Sequence, residues 1–124
     1  MYYSLVGRGL EYEFQSFAEY HNIGILVWSA LAGGFLSGKY SRNNPAPAGT
    51  RYAEAGQFVP FDKENAYKIV DVLKEVAKRN DASPAQVALA WVLGRPAVSA
   101  VIVAARKPEH LEDNIRAVDL RLSV

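Results

Sequence analysis

The chain has 124 residues, of which half are hydrophobic and 22% are charged, as in one ordinary globular domain rather than a disordered segment. Fourteen basic and thirteen acidic side chains give a net charge of +1, which argues against a nucleic-acid-binding surface or binding to an acidic membrane. There is no cysteine, so disulfides and thiolate metal sites are excluded and the cytoplasm is the expected location. No apolar stretch reaches the roughly 18–20 residues that span a bilayer.

The first part of the chain predicts a strand, a helix and a second strand. Residues 2–6 form a short aromatic and aliphatic run closed by glycines, which favours a strand. Phe14, Phe17 and Ala18 lie at helical spacing within residues 11–21, with glutamates on the other side. Residues 25–28 are a continuous apolar run, as in a strand that is covered on both faces.

The middle of the chain predicts a long loop and two helices. Residues 41–60 have several prolines and glycines and no hydrophobic period, so we expect either a lid or binding loop, or a flexible insertion. Asp62 can cap the next helix, whose apolar residues follow a one-sided stripe. Ser83, Pro84 and Gln86 then supply an N-cap, a first-turn proline and a capping box for a largely buried helix.

The last part predicts one more strand and one more helix. Residues 98–105 are an apolar, β-branched run, and Pro108 begins a helix with Leu111, Ile115 and Val118 on one face. Strands that helices separate run parallel, and right-handed crossovers place those helices over one face of the sheet. The sequence therefore predicts an α/β fold with about three parallel strands and four or more helices. We also expect a second copy, or a part of the protein beyond this chain, to cover the other apolar face.

The stretch SALAGGFLSGKY, residues 29–40, contains most of a phosphate-binding P-loop. Four residues separate Gly33 from Gly38 and Lys39, but Tyr40 takes the place of the Ser or Thr whose hydroxyl would bind Mg²⁺. A P-loop must also open a helix, and two prolines prevent a helix here. The dinucleotide fingerprint G-x-G-x-x-G is absent from the sequence as well.

A second candidate phosphate site follows the last predicted strand. Ala104 and Ala105 are small and let a ligand approach the backbone, while Arg106 and Lys107 add positive charge at a helix start that already favours anions. The alternative is a solvated basic turn. In (β/α)₈ barrels the loops after strands seven and eight commonly bind phosphate, so we predict that this turn and residues 29–40 form one site.

Four segments resemble the C-terminal part of the aldo-keto reductases in their order and spacing. They are YYSLVGR, WSALAGGFLSGKY, SPAQVALAWVL and VIVAARKPEHLEDNIRA, and together they cover essentially the whole chain. The resemblance implies one partial-barrel domain over residues 1–124, part of a (β/α)₈ TIM barrel with strands six to eight and their helices. NADPH would lie across the carboxyl ends of those strands.

The resemblance also implies a set of cofactor-binding residues. Tyr3 would stack on the nicotinamide ring, and Arg106 would bind the 2′-phosphate bidentately, which favours NADP over NAD. Backbone N–H groups and one ammonium would line the pyrophosphate, from Ser29, Leu31, Gly33, Gly38 and Lys39. Near the adenosine the resemblance implies contacts from Ala104, His110, Asp113 and Asn114. The family usually has Gly in place of Ala104, and Gln or Arg in place of His110. For Asp113 and Asn114 the alternative is that they form a polar helix face.

The family's catalytic Asp, Tyr, Lys and His belong to its N-terminal half, which no segment here resembles. We therefore expect no catalytic residue, no metal ligand and little or no turnover by this chain alone. The resemblance implies the NADP-binding part of an enzyme that reduces aldehydes or ketones by hydride transfer from NADPH. The alternative is a non-catalytic dinucleotide-binding or assembly module resembling potassium-channel β subunits. A homo-oligomer or a complementing N-terminal half is the expected partner, because exposed parallel strands favour association.

Overall fold

A pair of parallel strands forms the centre of the computed structural model, which describes residues 1–45 and 48–123. Strand β1, Ile25–Trp28, pairs with β2, Val98–Ile102, and Trp28 lies opposite Ile102. The parallel α/β class predicted from the sequence is confirmed. Pro47, part of the predicted long loop, lies outside the described residues.

The first predicted strand, residues 2–6, is reduced to a single bridge. Tyr2 forms an isolated parallel bridge with Trp28, on the side of β1 away from β2. Ser4 and Gly7 then exchange backbone hydrogen bonds of 3.1 and 3.2 Å. This tight turn takes the chain away from the sheet, so the prediction of a full third strand was wrong.

Five α-helices surround the strands in the described residues, which agrees with the prediction of four or more. They are α1 (Phe14–Tyr20), α2 (Arg51–Ala55), α3 (Lys63–Arg79), α4 (Pro84–Leu93) and α5 (Pro108–Ile115). The predicted caps are confirmed. Asp62 Oδ1 accepts from the Asn65 N–H at 2.6 Å, and Ser83 and Gln86 form the capping box of α4. None of these helices is long and apolar enough to cross a membrane.

The core lies between the helices and one face of the sheet. Helix α4 is buried almost all round, because its Leu89 and Val92 pack against Tyr3 and Val27 while Val87 and Ala88 join the residues of α3. The other face of the sheet is not covered. Leu26, Trp28 and Ile102 are 57%, 40% and 59% exposed, and we call these three residues the open face.

The predicted apolar face of the last helix does not pack as expected. Leu111 and Ile115 of α5 are 44% and 58% exposed, and Val118, just after the helix, is 58% exposed. Ala117 is the residue of this segment that enters the core.

Candidate functional site

The two predicted phosphate-binding turns leave the same edge of the sheet. Because β1 and β2 run parallel with Trp28 opposite Ile102, their carboxyl ends lie side by side. We call residues 29–40 the β1 turn and residues 103–107 the β2 turn. The arrangement that the sequence predicts for the two turns, at neighbouring strand ends, is the one observed.

The β1 turn has an unusual backbone. Its positive φ angles are 56° at Ser29, 49° at Ala32, 68° at Gly33, 96° at Gly34 and 84° at Gly38. At Ser29 and Ala32 this left-handed conformation costs about 1 kcal/mol or more per residue. The Gly33 N–H donates to Ser29 Oγ at 3.3 Å, so that side chain helps to hold the first half of the turn. Strain of this kind is typical of ligand-binding turns.

The second half of the β1 turn is fixed against the core. A Cβ atom on Gly38 would come within 2.8 Å of Pro84 Cγ at the start of α4, so glycine is required sterically as well as by its φ. Tyr40 is buried, and its ring stacks on Phe35 with centroids 5.2 Å apart. Lys39 lies between these two fixed residues and remains exposed. Tyr40 is thus a packing residue, which fits its departure from the P-loop pattern.

A third segment contacts the end of β1 and the β2 turn. Residues 50–61, which we call the strap, include α2, with Thr50 as N-cap and Gly56 at its end. Phe58 lies edge-on to Trp28 with centroids 6.1 Å apart, and Glu54 Oε2 accepts from Arg106 Nη2 at 3.0 Å. The second half of the predicted long loop is therefore ordered against the sheet edge, and a role for it in binding stays a prediction.

Sequence reasoning missed α2 and its contacts. The helix has only five residues, too few for a hydrophobic period. Its bounding pair, Thr50 before and Gly56 after, is the signal that could have identified it. No local signal points to the Glu54–Arg106 pair, because the two residues are 52 positions apart.

Tyr3, predicted to stack on a nicotinamide ring, lies on the helix side of the sheet. It is fully buried, its ring is 5.4 Å from that of Trp91, and its hydroxyl donates to Glu11 Oε1 at 2.6 Å. Burial, and to a lesser degree Glu11, raises the pKa of the Tyr3 hydroxyl well above its ordinary value. In this position the Tyr3 ring has no exposed face.

Trp28 is the aromatic residue that is exposed at the shared strand edge. It ends β1, is 40% exposed, and contacts Tyr2 and Phe58 at its sides. Sequence reasoning placed Trp28 at the end of an apolar strand, near the expected cofactor, but did not name it as a ring contact. A four-residue apolar run does not reveal which alternate residues face the helices.

The residues predicted near the adenosine have different environments. Ala104 and His110 are exposed, and His110 lies in the first turn of α5. Asn114 is half-buried. Asp113 is engaged at both oxygens, since Oδ2 accepts from Ser83 Oγ at 2.6 Å and Oδ1 from Gln86 Nε2 at 2.8 Å. Asp113 therefore joins α5 to the capping box of α4.

Ala104 adopts its place without backbone strain. Its φ angle is not positive. The substitution of Ala for the family's usual Gly therefore carries none of the cost that a left-handed conformation would impose.

Basic side chains dominate the charge of this edge. Lys39, Arg106 and Lys107 are exposed on the two turns, and the Arg51 guanidinium lies 4.2 Å from the centroid of the Phe58 ring. Glu54 is the acidic residue that the strap brings to the β2 turn. Positive charge, tight left-handed turns and the exposed rings of Trp28 and Phe58 are features that suit an anionic, ring-containing ligand.

Comparison with known proteins shows the family and the fold class of this chain. The profile of the Aldo/keto reductase family matches residues 1–124. The chain is 38% identical over 120 residues to the uncharacterized oxidoreductase YrpG of Bacillus subtilis. This match covers 97% of this chain and 35% of that protein. It is 36% identical over 104 residues to a putative voltage-gated potassium channel subunit beta of Schizosaccharomyces pombe, covering 80% of this chain and 30% of that one.

A solved structure agrees with these sequence relatives. The glycerol dehydrogenase from Gluconobacter oxydans matches with a TM-score of 0.70 and 28% identity, over 91% of this chain and 35% of the enzyme. This chain belongs to the aldo-keto reductase family. It spans about a third of the length of the relatives that it matches, and its fold corresponds to part of their TIM barrel.

Proposed function

We propose that the protein binds NADP at the edge formed by the β1 and β2 turns, as the cofactor-binding part of an enzyme that reduces aldehydes or ketones. The observation that carries the proposal is the parallel register of Trp28 and Ile102, from which the two basic turns leave side by side. The residues present fit the group. The exposed ammonium of Lys39 and the strained β1 turn suit a pyrophosphate, and the exposed guanidinium of Arg106 suits a 2′-phosphate.

We assign the nicotinamide contact to Trp28 in place of Tyr3. A stacking partner needs an accessible ring face near the strand end, which the 40% exposed Trp28 has and the fully buried Tyr3 lacks. On the adenosine side, we assign the contacts to Arg106, His110 and Asn114. Asp113 already accepts two hydrogen bonds from the α4 cap and serves mainly to fix α5.

In this proposal the chain contributes binding and orientation. When bound, the nicotinamide cofactor supplies the hydride that a carbonyl substrate accepts. Trp28 would hold the nicotinamide ring flat, while Arg106 and Lys39 neutralise phosphate charge. The proton for the reduced carbonyl would come from a group outside this set of residues.

The open face supports a proposal about partners. Leu26, Trp28 and Ile102 form an apolar surface on the only sheet of the described residues, and the relatives are about three times as long as this chain. We propose that a complementing N-terminal half, or a second copy, covers Leu26 and the rest of this face in the cytoplasm, and leaves the Trp28 ring at the strand end accessible to the cofactor. Light scattering on the purified chain is expected to report an oligomer, and a stable monomer would contradict this proposal.

Cofactor binding can be tested through Trp28 itself. The protein has two tryptophans, so a Trp91→Phe variant leaves Trp28 as the reporter. NADPH is expected to quench its fluorescence, because the nicotinamide ring would lie against the indole. Arg106→Leu is expected to weaken binding about 10- to 100-fold, the loss of one charge-assisted contact to phosphate.

The matched control for Arg106 is Arg79→Leu, which removes an exposed guanidinium from α3 and is expected to leave binding unchanged. Failure of millimolar NADPH to quench Trp28 would contradict the proposed site. So would equal effects of the Arg106 and Arg79 substitutions.

A non-catalytic dinucleotide-binding or assembly module is the second candidate function. It is favoured by the similarity to the putative channel subunit beta of Schizosaccharomyces pombe. The two candidates separate in an assay of NADPH consumption with a simple aldehyde, using the complete barrel. Binding without turnover would favour the module, whereas turnover would favour the reductase.

A further inference from the structure

We propose that Glu54 is a specificity-determining residue, which occupies the guanidinium of Arg106 until the 2′-phosphate of a cofactor displaces it. The inference rests on the proposed function and deepens it. Glu54, which the strap positions beside Arg106, competes with the 2′-phosphate for the guanidinium.

The contact that carries the inference is a single ion pair across the site. Glu54 Oε2 lies 3.0 Å from Arg106 Nη2, which joins α2 of the strap to the β2 turn. The side chains of Arg106 and Glu54 are 60% and 57% exposed. Ion pairs this exposed are weak, so a phosphate that carries more charge and three acceptor oxygens is able to replace the carboxylate.

Other contacts hold Glu54 near Arg106 without the ion pair. At the base of the strap, Tyr52 packs against Tyr40 with centroids 5.6 Å apart and against Phe35 at 6.1 Å. Further along, Phe58 contacts Trp28. These aromatic anchors keep the Glu54 carboxylate at a high effective concentration beside the guanidinium. Competition is therefore intramolecular.

The competition acts unequally on the two nicotinamide cofactors. NADPH must break the Glu54–Arg106 pair to place its 2′-phosphate on Arg106. NADH has a 2′-hydroxyl at that position and can bind with the pair intact. Glu54 therefore lowers the preference for NADPH over NADH that Arg106 alone would give.

The test is the ratio of the two dissociation constants, measured by titrating NADPH and NADH into wild type and Glu54→Gln. The variant is expected to bind NADPH about two- to fivefold more tightly, the factor set by one exposed ion pair, and NADH with unchanged affinity. Glu54→Asp keeps the charge but draws it back from Arg106, and is expected to fall between. Glu75→Gln is the matched control, since it removes a carboxylate from the exposed Glu75–Arg79 pair of α3.

An unchanged ratio in Glu54→Gln, or weaker binding of NADPH, would overturn the inference. If neither nucleotide binds wild type, the proposed function fails, and the specificity role fails with it. Amide hydrogen exchange of residues 50–56 without nucleotide then isolates the ion pair itself. Wild-type exchange is expected in both Glu54→Gln and Arg106→Leu, because the aromatic contacts hold the strap without the pair. Faster exchange in both variants would overturn the premise that Glu54 is held beside Arg106 independently of the pair.

Discussion

The two faces of the β1–β2 sheet have similar apolar sequences and opposite environments. Ile25 and Val27 point towards the helices and are 6% and 0% exposed, whereas Leu26 and Trp28, which alternate with them, are 57% and 40% exposed. The covered face holds the chain together through Tyr3, α4 and the residues around them. The open face adds little to this core, and it ends at Trp28, where the proposed cofactor site begins. Core packing and the proposed cofactor contact are thus divided between alternate residues of one strand.

The same Leu→Ala substitution on each side of the sheet compares how much the two faces contribute to stability. Leu89→Ala removes a 2% exposed side chain that packs against the covered face, and is expected to lower the free energy of unfolding by about 2–5 kcal/mol. Leu26→Ala makes the same change on the open face, and is expected to cost less than about 0.5 kcal/mol in the monomer. Urea unfolding of both variants measures the difference. Equal losses at a protein concentration low enough to dissociate the oligomer would contradict this difference between the two faces.

Substitution of Gly38 tests whether the β1 turn packs tightly against α4 on the covered side of the sheet. Gly38→Ala combines a φ of +84° with a contact of 2.8 Å to Pro84, so we expect a loss of about 2–3 kcal/mol. Gly49→Ala is the matched control, because Gly49 has a φ of +73° and no atom within 4 Å of an added Cβ. Its expected cost is the backbone part alone, about 1 kcal/mol. Equal costs in thermal or urea unfolding would mean that the turn does not press on α4.

Substitution of Asp113 separates its role in packing from a role in cofactor binding. Asp113→Ala removes the acceptor for both Ser83 and Gln86, and is expected to cost about 1–3 kcal/mol in urea unfolding. Glu112→Ala, on the exposed side of α5, is the control and is expected to cost less than about 0.5 kcal/mol. A variant that unfolds like wild type but binds NADPH poorly would return Asp113 to the adenine contact that the family resemblance implies.

The smallest expected effect concerns pH. Hydrogen bonds from Arg8, and more weakly from Tyr3, hold the pKa of Glu11 below its ordinary 4.5, although burial opposes the shift. A lowered pKa gives stability that is present above pH 4.5 and is lost as the pH falls through the lowered value. Glu11→Gln lacks this ionisation. Its deficit relative to wild type, about 1 kcal/mol at pH 7, is therefore expected to shrink in urea unfolding below pH 4.5. A deficit that stays constant down to pH 3 would contradict this.

Local rules predicted the helices best. The caps at Asp62 and Ser83 depend on side chains within three residues of the helix start, so a single sequence contains the whole signal. The parallel order of β1 and β2 followed from the helices between them. The third strand failed because the turn at Ser4 and Gly7 depends on a local backbone pairing that a run of apolar residues does not encode.

The candidate site was predicted in its position more than in its details. The two turns follow directly from the strand ends, which is why residues near Gly33 and Arg106 could be named from sequence. The sequence did not show that Tyr3 faces the helices while Trp28 is exposed at the strand end, because both sides of each strand are apolar. The strap and its Glu54–Arg106 pair depend on tertiary contacts between distant segments, for which the sequence contains no local signal.

The β1 turn and the β2 turn are proposed to form one nucleotide site. Backbone amide chemical shifts, followed by NMR while NADPH is added to the labelled protein, test it most directly. We expect shifts in both residues 29–39 and residues 103–114 that titrate with a single dissociation constant. Shifts confined to one of the two segments, or two different dissociation constants, would contradict the claim.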